Sequence, residues 1–243
     1  MTTDTPTVAL VTGGSGGIGA ATCRALASAG RTVLVGYGGS REAAEKVAAD
    51  LPAAEAVHLD VTDEDSVAAA VAHATELGTL DTVVNNAGIA DDDLLLRLTP
   101  ERFDRTLQVN LRGAYLVSRA ALRPMLRART GRIVNVASVV ALRGNAGQTA
   151  YAAAKAGLIG FSKSLAREVA RKQVTVNVVA PGFVATAMTE ALPDAAREAL
   201  IDLAPNGRAV EADEVAAAIA FLASDAAAAI TGVVLPVDGG AAI

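Results

Sequence analysis

The sequence predicts an α/β protein: a single domain built on a doubly wound, parallel seven-stranded sheet with helices on both faces. Three observations carry this expectation. Apolar runs of strand length alternate with longer stretches of helical pattern, as in repeated strand–helix units. The strand runs are nearly continuous in Val, Ile, Leu and Ala, as expected when both sheet faces are covered. The chain has 243 residues, 52% of them hydrophobic, which suits one large core, and no linker, repeat or low-complexity segment divides it.

The first strand, Thr7–Val11, runs into Thr12-Gly13-Gly14-Ser15-Gly16-Gly17-Ile18-Gly19 and then an apolar helix opening with Ala20-Ala21. Glycines let the backbone turn tightly against a pyrophosphate, and the helix presents free N–H groups and its positive dipole end to that anion. This is a dinucleotide-binding loop. Three residues separate Gly13 from Gly17, unlike the GxGxxG of many dehydrogenases. Thr32–Val35 is the second strand. Ala56–Leu59 is the third, closed by Asp60, whose carboxylate can accept from an adenine amino group or cap the following helix. Thr82–Val84 is the fourth, followed by Asn85-Asn86-Ala87-Gly88, whose amides can tie neighbouring loops together and line a cleft beyond the strand ends.

The fifth strand, Arg132–Val136, leads to Ser138 and then to a helix from about Ala150 to Ala170 that holds Tyr151 and Lys155. Four residues apart, phenol and ammonium stack on one helix face. A fixed positive charge close by favours phenolate and lowers a pKa of about 10, which makes the phenol a usable acid. The Ser138 hydroxyl can donate to a substrate oxygen on which negative charge develops. Val174–Val179 is the sixth strand, and Pro181-Gly182-Phe183-Val184-Ala185-Thr186 after it suits the nicotinamide end of a cofactor. From about Thr186 to Arg208 the chain is broken by Pro193, Pro205 and Gly207, and is the expected mobile substrate lid. Val233–Pro236 is the last strand.

The Ala150–Ala170 helix is apolar around most of its circumference, so one side is expected to meet a partner subunit, with Gly157 and Gly160 permitting close approach. Burial inside a monomer is the alternative. Cys23 is the only cysteine, so no intrachain disulfide forms and a reducing compartment is expected. His58 and His73 stand apart from any cluster with ligand spacing, so no metal is expected. A net charge of −5 argues against general nucleic-acid binding. Although mean hydropathy is +0.38, no apolar run approaches the ~18 residues of a membrane span. The amino terminus has no basic flank of a targeting peptide, so the expectation is a soluble cytoplasmic protein.

Thr12–Gly19, Asn85–Gly88, Asn110, Ser138, Tyr151, Lys155 and Pro181–Thr186 occur in the order found in the short-chain dehydrogenase/reductases, and the chain resembles that family over nearly its whole length. More closely, the runs Tyr151–Ala170 and Val176–Phe183 and the Val237-Asp238-Gly239-Gly240 ending resemble the bacterial 3-oxoacyl-(acyl-carrier-protein) reductases. The resemblance implies a Rossmann-type fold and reduction of 3-oxoacyl to 3-hydroxyacyl thioesters in fatty-acid synthesis. It implies a homotetramer, with the helix around Leu111–Leu126 joining the Ala150–Ala170 helix in one interface. Reduction of acetoacetyl-CoA or a polyketide intermediate would use the same residues. A nucleotide-binding scaffold or sensor without turnover is the alternative of a different class.

In the implied mechanism the cofactor supplies hydride and Tyr151 protonates the ketone oxygen. Lys155 lowers the tyrosine pKa and binds the nicotinamide ribose, Ser138 steadies the carbonyl, and Asn110 holds a water that links Lys155 to solvent. A structural amide at a helix distortion is the competing role for Asn110. The implied cofactor contacts are Gly13, Ser15, Gly17, Ile18 and Gly19 in the first loop and Ser40, Arg41, Asp60 and Val61 beyond the next two strands. Asn86, Ala87, Gly88, Tyr151, Lys155, Pro181, Gly182, Val184 and Thr186 complete the set. NAD-specific relatives commonly place a carboxylate after the second strand, where this chain has Gly36-Tyr37-Gly38-Gly39-Ser40-Arg41. Ser40 and Arg41 can instead bind a 2′-phosphate, which favours NADPH, although Gly16 stands where many NADPH-using relatives have arginine. Arg127, Arg129 and Arg132 cluster before one strand and Arg167, Arg171 and Lys172 before another. By resemblance, Arg129 and Lys172 lie beside the active-site entrance and dock the acidic carrier protein, with complementary charge speeding the encounter. Cations that merely suit helix carboxyl ends are the competing explanation.

Overall fold

The computed structural model describes residues 5–185 and 194–243. Among these, the strands β1 (Thr7–Val11), β2 (Thr32–Tyr37), β3 (Ala54–His58), β4 (Thr79–Asn85), β5 (Gly131–Val136), β6 (Val174–Pro181) and β7 (Val234–Val237) form one sheet. The sheet order is β3-β2-β1-β4-β5-β6-β7, with every neighbouring pair parallel. The helices are α1 (Gly17–Ser28), α2 (Arg41–Ala49), α3 (Glu64–Leu77), α4 (Pro100–Leu107), α5 (Gly113–Ala128), α6 (Val140–Arg143), α7 (Thr149–Val169), α8 (Asp194–Ile201) and α9 (Ala212–Leu222).

Side-chain alternation along β1 shows why its sequence is apolar throughout. Val8 and Leu10 join a core completed by α3, α5 and α7, whereas Ala9 and Val11 join a second core completed by α1, α2 and α9. Successive side chains on a strand point to opposite faces, so a sheet covered on both sides needs apolar residues at every position. All seven predicted strands are present, β1 with the expected bounds and the other six with shifted ones. β4 begins three positions before the expected Thr82 because Asp81 can be buried: its carboxylate pairs with Arg31 at 3.0 Å, and that guanidinium also donates to the Ala223 carbonyl at 2.7 Å. β3 begins at Ala54 and tolerates Glu55 because it is an edge strand, where Glu55 meets His73 at 2.9 Å.

Strand order reverses at β1, which has β2 on one side and β4 on the other, and this opens a crevice at the carboxyl ends of the strands. On α7, Ala154, Lys155, Leu158, Ser162, Leu165, Ala166 and Val169 are buried, one stripe at helical spacing that faces the sheet. A Cβ on Gly157 would lie 3.0 Å from Leu111 of the same chain, so its smallness already serves a contact within the monomer, whereas Gly160 has nothing within 4 Å. Among the described residues no helix is long and apolar enough to cross a membrane.

Candidate active site

A cleft of about 670 Å³ lies beyond the carboxyl ends of β1, β4, β5 and β6. Its wall brings together Gly13, Ser15, Gly17 and Ile18, the run Asn86–Gly88, Ser138, Tyr151 and Lys155, and Pro181, Gly182 and Val184. Gly13 (φ +61°) and Gly17 (φ +45°) adopt left-handed conformations that favour glycine. A Cβ on Gly19 would overlap the Gly13 carbonyl, so this glycine lets α1 start directly against the loop. Gly16 precedes α1 with no side-chain cap, leaving the first N–H groups of the helix for an anion. The loop is held from β4: Asn86 Nδ2 donates to the Thr12 and Gly13 carbonyls at 3.1 and 3.0 Å, and the Asn86 and Ala87 N–H groups donate to Thr12 Oγ1 at 3.0 and 2.9 Å. An uncapped helix start behind an open glycine turn fits the pyrophosphate of a dinucleotide.

Lys155 is 3% exposed; its Nζ donates to the Val136 carbonyl at 2.8 Å and lies 5.7 Å from the centre of the Tyr151 ring. Burial pulls its pKa down to about 8. The phenol of Tyr151 departs from the expectation that the ammonium lowers its pKa. Burial, the largest cause, pushes that pKa up; the Ser138 hydroxyl pulls it down and the Asp92 charge pushes it up. Desolvation therefore governs both groups, and it keeps Tyr151 protonated.

Asn110 sits in a π-helical turn, Gln108–Arg112, between α4 and α5. Its Nδ2 donates to the Ile89 and Thr106 carbonyls, both at 2.9 Å, so it does staple a helix distortion. Its Oδ1, however, is buried with no hydrogen-bond partner among the described residues. A Cβ on Gly88 would lie 2.5 Å from that Oδ1 and 3.5 Å from Lys155 Nζ, so the same glycine keeps room beside both groups. The Nδ2 end of the amide thus serves the helix distortion, while the Oδ1 end is left as a buried acceptor beside Gly88.

Other sequence-predicted residues stand off the cleft wall. Ser40 Oγ caps α2 by accepting from the Ala43 N–H at 3.2 Å, and Arg41, exposed, pairs with Glu45 at 2.7 Å. Asp60 Oδ1 accepts from the Thr62 N–H and hydroxyl at 2.8 and 2.7 Å, which hold its carboxyl below the usual range; Asp63, not Asp60, caps α3. Val61 is buried, and a Cβ on Gly113 would meet its side chain at 2.8 Å. Thr186 and the opening of the expected lid lie outside the described residues, while Leu200, Ala204 and Arg208 from its later part line the cleft.

The docking pair stands away from this chain's own cleft. Arg129 caps the end of α5 just before β5, and Lys172 closes a 3₁₀ turn after α7 just before β6, so both lie at the amino ends of strands whose carboxyl ends carry the cleft. At 1.5 Å per residue, α7 alone carries the chain roughly 30 Å from Tyr151 towards Lys172. Neither residue borders the entrance of its own chain's cleft. Arg132, their neighbour in the sequence, is 8% exposed and committed to Asp225 and to the Gly131 and Gln173 carbonyls.

Sequence reasoning missed a buried polar row and a rim contact. Asn85 Nδ2 donates to Asn135 Oδ1 at 2.7 Å and Ser118 Oγ at 3.0 Å, and Asn135 Nδ2 donates to Ser162 Oγ at 2.7 Å, which ties α5 and α7 to the middle of the sheet. An asparagine inside the apolar run of β5 was the available signal. At the rim, Gln148 Nε2 donates to Asp92 Oδ2 at 2.7 Å, and Asn145 Nδ2 to Gln148 Oε1 at 2.9 Å.

Comparison with known proteins agrees with this geometry. A family model described as Enoyl-(Acyl carrier protein) reductase matches residues 13–242. The chain is 50% identical over 238 residues to the 3-oxoacyl-(acyl-carrier-protein) reductase FabG of Pseudomonas aeruginosa, covering 96% of each chain. It is 48% identical over 235 residues to the reductases of the same name from Escherichia coli K12 and Vibrio cholerae, again covering 96% of each.

Proposed function

Since the chain belongs to the short-chain dehydrogenase/reductase family, we propose that it reduces 3-oxoacyl thioesters on acyl carrier protein to 3-hydroxyacyl thioesters in cytoplasmic fatty-acid synthesis, using NADPH. One observation carries the reading. Ser138, Tyr151 and Lys155 share a cleft wall with the glycine loop, in a chain about half identical to named 3-oxoacyl reductases.

The nicotinamide cofactor supplies the hydride when bound. The glycine loop and the amino end of α1 hold its pyrophosphate, and Asn86 fixes that loop. Ser138 and Tyr151 donate to the ketone oxygen, and Tyr151, kept protonated by burial, transfers its proton as charge builds there. Lys155, with a pKa of about 8, is mostly charged at neutral pH and balances the phenolate that results. Asn110 Oδ1 offers an acceptor for a water through which the phenolate regains its proton from solvent.

The preference for NADPH is supported by the absence of a carboxylate from Gly36–Arg41 and by the openness of Gly39, which has nothing within 4 Å. A homotetramer is supported by an open apolar surface where Leu107 at the end of α4, Leu111 in the π-helical turn, Tyr115 of α5 and Phe161 of α7 lie together and Tyr115 is 42% exposed. In such an assembly Arg129 and Lys172 would steer the carrier to a partner subunit's cleft. Intact-mass analysis of acetoacetyl carrier protein incubated with the enzyme and NADPH tests the reaction. The carrier should become heavier by a pair of hydrogens, and an unchanged mass would refute the proposal.

A further inference from the structure

Five charged side chains stand on the described cleft wall: Asp92, Arg143, Lys155, Arg208 and Asp238. Four are committed. Lys155 donates to Val136, and Arg208 grips Glu214 through two hydrogen bonds of 2.8 and 2.6 Å. Asp238 accepts from the Gly240 and Ala242 N–H groups at 2.9 and 2.8 Å, and Asp92 accepts from Gln148. The Arg143 guanidinium has neither a hydrogen bond nor an ion pair among the described residues, and its side chain is exposed.

Its placement is fixed by its backbone. Arg143 ends α6, and α6 is tied to the catalytic serine, with the Ala141 N–H donating to the Ser138 carbonyl at 3.0 Å and the Arg143 N–H to the Val139 carbonyl at 3.1 Å. It therefore borders the cleft on the element that follows Ser138, together with Asn145, Gln148 and Tyr151. A thioester whose ketone sits at Ser138 and Tyr151 must lead its carrier arm out past this rim. That arm is phosphopantetheine, on carrier protein and on CoA alike. A guanidinium matches a phosphate with two parallel hydrogen bonds and keeps its charge at any working pH.

We propose that Arg143 is a specificity-determining residue that binds the phosphate of the pantetheine arm, an inference that rests on the thioester-reductase reading. It is tested with a matched pair of substrates, acetoacetyl-phosphopantetheine and acetoacetyl-pantetheine, which differ only in that phosphate. In Arg143→Gln the ratio of their kcat/KM values should fall about fivefold in favour of the unphosphorylated thioester, the scale of an exposed ion pair. The change should lie in KM, shrink at high salt and be partly restored by Arg143→Lys. Carrier-bound and CoA-bound acetoacetyl thioesters assayed in parallel show which source meets the arginine, because only that one loses along with acetoacetyl-phosphopantetheine. An unchanged ratio in Arg143→Gln, with wild type turning over both small thioesters, overturns the role of Arg143 alone. A wild-type enzyme that reduces none of the thioesters overturns the reductase reading, and this inference with it.

Discussion

Replacing Lys155 with methionine should abolish turnover and at the same time stabilise the cofactor-free protein near neutral pH. The lysine is 3% exposed, and the Val136 carbonyl at 2.8 Å is its one hydrogen-bond partner among the described residues. Burial holds its pKa at about 8, against 10.5 for a free lysine. At about 1.4 kcal/mol per pH unit, that gap makes the charged form cost the fold on the order of 3 kcal/mol. The sign follows from proton counting. Below about pH 8 both folded and unfolded chains carry the charge and the full cost stands. From there to 10.5 the unfolded chain binds more protons than the folded one, so wild-type stability rises with pH. Methionine is of similar length and removes the charge, but it leaves the Val136 carbonyl without this donor, a loss of about 1 kcal/mol. A net gain of roughly 1–3 kcal/mol remains, worth about 2–4 °C per kcal/mol in a chain of this size. Thermal melts of both proteins without cofactor, at neutral pH and near pH 10, measure it. The variant should melt higher at neutral pH, and its advantage should shrink as pH rises. A variant that melts lower, or an advantage independent of pH, would refute the reasoning. A stability gain paired with lost turnover would fit the charge role proposed for Lys155.

Gly19→Ala forces a methyl group into the Gly13 carbonyl and should weaken cofactor binding at least about tenfold, read by titration of cofactor fluorescence, while helical circular dichroism persists. Wild-type kcat/KM should be higher with NADPH than with NADH, and Arg41→Ala should narrow the difference; an unchanged ratio in the variant would acquit Arg41 alone. Light scattering should report a tetramer, and Tyr115→Asp on the open α5–α7 face should shift it towards smaller species.

What the sequence made legible was local. β1, the glycine loop and α1 follow from an uninterrupted apolar run, a set of glycines and a helical pattern within some twenty residues, and Tyr151 and Lys155 share a helix face by spacing alone. Pairings between distant positions were not legible. Asp81 reads as a break in a strand until Arg31, fifty positions away, neutralises it. Gln148 reads as a surface residue until Asp92, fifty-six positions away, accepts from it. Arg129 and Lys172 illustrate a different limit, because clustered charge in a sequence does not say at which end of a parallel sheet it will stand. Tyr151 and Lys155 illustrate a third: spacing gave their proximity, but the direction of the tyrosine shift depends on desolvation by surrounding elements that no single helix contains.

The role of Tyr151 as proton donor is tested most directly by Tyr151→Phe, which keeps the ring and removes only the hydroxyl. Measured on carrier-bound acetoacetyl thioester with saturating NADPH, kcat should fall by at least about a hundredfold, the scale of losing a positioned general acid, while NADPH binds within about twofold of wild type. Turnover near the wild-type rate in this variant would contradict the account.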